Sequence, residues 1–83
     1  MDKIKSQINA IVVFKATTLD TLTTEYDQLR HRICQGIKAM KDSKVFTNTE
    51  IEKINTYGIN LLAEKYREAR EVICNNIRES FKF

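Results

Sequence analysis

Apolar residues recur at three- and four-residue steps along nearly the whole chain. That is the spacing of amphipathic helices, not the strict alternation of half-buried strands. In the first half they fall at Ile4, Ile8, Ile11, Val12, Leu19, Leu22, Tyr26, Leu29, Ile33, Ile37 and Met40. In the second they fall at Ile51, Ile54, Leu61, Leu62, Tyr66, Ala69, Val72, Ile73, Ile77 and Phe81. The second stripe has one gap, between Ile54 and Leu61, and Gly58 sits there on the same face. A missing Cβ at Gly58 suits a close helix–helix crossing, and Gly36 reads in the same way.

The two stripes are separated by polar residues Asp42, Ser43 and Lys44, followed by Phe46-Thr47-Asn48-Thr49-Glu50-Ile51. Thr47 can accept from the amide of Glu50, and the Glu50 carboxylate can reach back to the amide of Thr47. Phe46 and Ile51 occupy the flanking staple positions, so a helix is expected to start at Thr47. Lys38 and Lys41 suit the end of the preceding helix, where the macrodipole favours cations.

The first half holds the main ambiguity. Ile8, Val12, Lys15, Leu19, Leu22 and Tyr26 keep one seam in register, with the Lys15 stem lying along it. This favours one helix over residues 3–41, roughly 60 Å long at ~1.5 Å per residue. Against it, Val12, Val13, Thr17, Thr18, Thr21, Thr23 and Thr24 are stiff at χ1 and mediocre helix formers. Thr17 followed by Asp20 also resembles a second capping signal.

The expected fold is therefore all-α: one domain over residues 1–83, a long antiparallel helical hairpin. A hairpin covers only one side of each wide stripe, and soluble monomers rarely leave such a patch open. Homodimerisation to a four-helix bundle would cover it. The alternative is a monomeric three-helix bundle, made by a break near residues 15–18 that lets the first piece fold back.

Composition narrows the class. The chain of 83 residues is 42% hydrophobic and 30% charged, the balance of a globular protein. It has no Pro and two Gly, too little turn chemistry for an all-β fold. Its longest apolar run, residues 10–14, is too short for a signal core or a membrane span. Two cysteines, Cys34 and Cys74, make no disulfide framework, so a reducing, cytoplasmic setting with free thiols is expected.

Net charge is +3, and the excess is local. Residues 28–44 carry Arg30, Arg32, Lys38, Lys41 and Lys44 against Asp42, while the rest of the chain balances to within one charge. On a helix, Arg30, His31, Cys34, Lys38 and Lys41 fall within about 100° of one another, and Arg32 points elsewhere. Arg30, His31, Lys38, Lys41 and Lys44 form the candidate binding site, able to face an acidic protein surface or nucleic-acid phosphates. No aromatic platform is interleaved in this stripe. The plain alternative is a solvated helix face.

Catalytic chemistry is not apparent. His31 and Cys34 share a face, but they find neither the further ligands a metal requires nor a third group to orient a nucleophile. No carboxylate pair lies in an apolar setting, and no phosphate loop is present. No cofactor is expected. The preferred function is a small non-enzymatic interaction protein, a regulator, inhibitor or adaptor, docking a helical surface on a partner protein. The alternative is an RNA- or DNA-binding protein using the basic stripe. The residues around Ile4, Ile8 and Ile11 could also lie on a membrane surface, but a core contact explains them more simply.

Overall fold

The computed structural model describes residues 2–81, and these form three helices. They are α1 (Asp2–Ile11), α2 (Leu19–Ser43) and α3 (Asn48–Ser80). The molecule is elongated, 59 × 19 × 16 Å. Its longest dimension follows α3, whose 33 residues span about 50 Å.

The all-helical class holds, but the single helix expected over residues 3–41 is absent. Helix α1 ends at Ile11, and residues 12–18 form a non-helical connector. The stiff side chains of Val12, Val13, Thr17 and Thr18 explain the weakness of the helix at this point. The chain then finds a better use for each group. Thr18, not Thr17, caps α2: its hydroxyl accepts from the Thr21 amide at 3.2 Å, and its own amide donates to the Thr21 hydroxyl at 3.3 Å. Lys15 does not lie along a seam. It is exposed in the connector, and its backbone amide faces the Glu25 carboxylate of α2.

Helices α2 and α3 run in opposite directions. Tyr66 of α3 meets Tyr26 of α2, while Gly58, earlier in α3, meets Ile33, later in α2. Helix α1 lies back along α3 in the same direction as it. Ile8 reaches Gly58, and Phe14 of the connector reaches Tyr66. The Tyr57 hydroxyl donates to Asn9 Oδ1 at 2.7 Å, and the Lys5 ammonium sits 5.3 Å from the Tyr57 ring centroid. One core unites all three helices. It includes Ile8 of α1 and Val12 of the connector, Leu29, Ile33, Ile37 and Met40 of α2, and Ile51, Ile54 and Leu62 of α3.

The two glycines differ. A Cβ on Gly58 would sit 3.2 Å from Ile33 Cγ2 and 3.8 Å from Ile8 Cδ1, so the absent side chain lets the three helices meet there. A Cβ on Gly36 would meet nothing within 4 Å. Gly36 therefore marks no crossing; it borders open space.

At the far turn the expected cap is present. The Thr47 hydroxyl accepts from the Glu50 amide at 3.1 Å, and Glu50 Oε1 accepts from the Thr47 amide at 3.0 Å. Ile51 is buried, and Phe46 packs against the core beside it. Lys44 ends α2 in the left-handed conformation, φ 58°, where glycine is commoner. Ion pairs add little. Glu64–Arg67 and Arg67–Glu71 have the spacing of helix-surface pairs but form none among the described residues, and Lys65–Glu68 bridges at 3.5 Å on the surface.

Candidate functional site

Folding α1 back leaves two grooves on opposite flanks of α2. The first lies between α1 and α2 and is apolar, with a volume of about 330 Å³. Ile4, Ile8 and Ile11 form one wall, and Ile33, Gly36 and Met40 part of the other. The open space beside Gly36 belongs to this groove, so the glycine keeps it clear. Its origin is steric. Helix α1 has ten residues and packs mainly on α3, so it leaves the flank of α2 past Gly36 uncovered.

The second groove lies between α2 and α3 on the side away from α1. It holds about 470 Å³ and is lined by Thr23, Tyr26, Ala63, Tyr66, Arg67 and Arg70. Tyr26 and Tyr66 meet edge to face, with centroids 4.9 Å apart, and both rings are half-buried. Arg67 and Arg70 are exposed at its rim, and neither forms an ion pair among the described residues.

The residues expected to form a site, Arg30, His31, Lys38 and Lys41, are all exposed on α2 and form no ion pair among the described residues. Lys44 is exposed too, but it stands past the last helical turn and so outside the stripe. Thr23 and Lys41 are 18 residues apart, which is five whole turns at 3.6 residues per turn, so they lie on one line along α2. Arg30 falls about 20° from that line and Lys38 about 60°. The basic stripe thus continues the floor of the second groove.

The aromatic residues of that groove were not legible from α2 alone. Tyr66 and both rim arginines come from α3. A turn centred near residue 46 places Tyr26 opposite Tyr66, and that pairing rule was the available signal.

His31 and Cys34 remain without further ligands, and no cluster of metal-binding groups occurs among the described residues. Cys34 is exposed and Cys74 half-buried, and both thiols are free. No described helix is long and apolar enough to cross a membrane. Comparison with known proteins finds no matching family model, curated protein or solved structure, so function must be argued from these surfaces.

Proposed function

We propose that the chain is a small non-enzymatic interaction protein, a regulator, inhibitor or adaptor, that receives the apolar ridge of a partner protein's helix in the α1–α2 groove. The observation that carries this reading is the open, apolar channel beside Gly36. Along α2 the groove runs from Arg32 to Ser43, about 17 Å at ~1.5 Å per residue. That length accepts about three helical turns, hence anchors at i, i+3 or i+4, and i+7. Docking would bury apolar surface that water now covers, with a few anchors contributing most of the affinity.

The occupant we favour is another protein and not a second copy. Homodimerisation was expected in order to cover the stripe of an uninterrupted first helix. With α1 folded back, Ile8 and Val12 are buried within the chain, and the motive for a four-helix bundle weakens.

Gly36→Leu tests the reading, because a Cβ at Gly36 meets nothing within 4 Å and the added side chain fills the groove. The probe is an amphipathic helical peptide of about four turns carrying three leucine anchors, titrated against protein with labelled isoleucine methyl groups. We expect shifts at Ile4, Ile11 and Ile37, loss of binding in Gly36→Leu, and retention in Gly36→Ala. Absence of shifts at these methyls would overturn the proposal. So would a dimeric mass in light scattering that Gly36→Leu returns to 9.7 kDa, since the occupant would then be a second copy.

A further inference from the structure

We infer that the groove on the other flank binds single-stranded nucleic acid, its bases against Tyr26 and Tyr66 and its phosphates against Arg67, Arg70, Arg30 and Lys41. These residues are distinct from those lining the α1–α2 groove.

Three observations converge. First, two half-buried tyrosine rings form part of the groove lining, and aromatic faces accept bases of any sequence. Second, Arg67 and Arg70 stand at the rim with no carboxylate partner among the described residues, although Glu64 and Glu71 lie within helical reach of Arg67. Guanidinium groups left unpaired beside aromatic rings match a backbone whose charges and bases alternate. Third, the α2 stripe prolongs the groove on one line. From Tyr26 to Lys41 is about 22 Å along the helix. A stacked strand advancing ~3.4 Å per nucleotide covers that distance in about six or seven nucleotides. A duplex keeps its bases inside, and would use the charges while leaving the tyrosines idle. An acidic peptide would do the same.

The flank is not uniformly positive. Asp20 and Asp27 lie on it, Asp27 between Thr23 and Arg30 in sequence and about 60° from Arg30 around the helix. Asp27 should repel a phosphate chain following the stripe, which gives the proposal a prediction of opposite sign.

The experiment is fluorescence anisotropy with end-labelled oligo(U), oligo(dT) and a duplex, each of about twelve nucleotides, at several salt concentrations between about 50 and 200 mM. We expect both single strands to bind more tightly than the duplex. The slope of log K against log salt should be about −2 to −3, corresponding to three or four phosphate contacts on a single strand. Arg67→Glu with Arg70→Glu should weaken binding at least tenfold and flatten the slope. Tyr66→Leu should weaken it about tenfold with the slope unchanged, the signature of lost stacking. Asp27→Asn should tighten binding a few-fold. Circular dichroism melting of each variant separates these effects from unfolding, and the exposed arginine and aspartate variants serve where Tyr66→Leu proves unstable. No binding by the wild type at the lowest salt overturns the inference. So does duplex binding equal to single-strand binding, or equal competition by a poly-glutamate peptide.

Discussion

The turns at residues 12–18 and 44–47 both deliver the chain into a helix through a reciprocal capping box, yet they are held differently. The 44–47 turn is closed by neighbours in sequence. Thr47 and Glu50 cap each other, Phe46 and Ile51 flank them, and the Ser43 hydroxyl donates to the Met40 carbonyl at 2.8 Å. The 12–18 connector is closed by residues from elsewhere. Glu25 Oε1 accepts from the amides of Lys15 at 3.2 Å and Ala16 at 2.8 Å, and the Phe14 ring packs 6.1 Å from Tyr66, more than 50 residues away in the chain. A turn built locally can be read locally. A turn built by tertiary contacts leaves in its own residues only a weakness, here the stiff run of Val and Thr.

The largest expected effect separates the two anchors. Phe14→Ala and Phe46→Ala each remove a half-buried ring, and each should cost about 2 kcal/mol, the lower end for large core truncations. Their distribution should differ. Helix α1 has ten residues, too few to persist alone in water. Losing Phe14 should therefore release α1 from α3, and hydrogen exchange should show its amides deprotected while those of α2 and α3 stay slow. Phe46→Ala should lower protection across all three helices. Equal, global deprotection in both variants would erase the distinction.

What could be read from the sequence follows the same division. The all-helical class, the Thr47 cap and the packing role of Gly58 came from patterns within a few turns, because capping and helical periodicity act at that range. The break near residues 15–18 was legible only as the alternative, from the stiff Val and Thr run and a capping signal, since the partners that decide it, Glu25 and Tyr66, are displayed on other helices. The seam through Lys15 was a true periodicity, but folding α1 back buries Ile8 and Val12 against α3, which one long exposed helix could not do. The candidate site was legible by half. Arg30, Lys38 and Lys41 stood out as a cluster, whereas Tyr66, Arg67 and Arg70 join them only once α3 is laid beside α2.

Glu25 gives the next test. Glu25→Ala leaves the Lys15 and Ala16 amides without their acceptor, and should cost about 1–2 kcal/mol, because a charged acceptor is lost at a partly solvated site. Glu25→Gln should recover part of this through its remaining carbonyl oxygen. Urea unfolding gives the global value, and protease cleavage within residues 12–18 gives the local one. A Glu25→Ala protein as stable and as resistant as the wild type would mean that Phe14 alone holds the connector.

The caps themselves should be nearly equal. Thr18→Ala and Thr47→Ala each remove a hydroxyl accepting from the third helical residue, and about 1 kcal/mol is expected for each by urea unfolding. A neutral Thr18→Ala would show that the start of α2 is set by the connector's tertiary contacts and not by its own cap.

The smallest effect is electrostatic and belongs to one turn only. In the 12–18 turn the residue completing the box is Thr21, which carries no charge; in the 44–47 turn it is Glu50. Hydrogen bonds from the Thr47 backbone amide and then its hydroxyl favour the charged carboxylate of Glu50 and hold its pKa below the ordinary 4.5. A group with a depressed folded-state pKa contributes stability above its unfolded pKa and loses it as pH falls through the folded value. The α3 cap should therefore weaken as pH drops below about 4.5, while the Thr18–Thr21 cap has no such dependence. Measured as the difference between wild type and Glu50→Gln, the pH dependence should shrink toward zero in acid, where both side chains are neutral. Because Glu50 lies at the surface and is partly exposed, salt should reduce the difference further. If the wild type and Glu50→Gln lose stability in parallel down to pH values well below 4.5, the two boxes are equivalent in charge as well as in geometry.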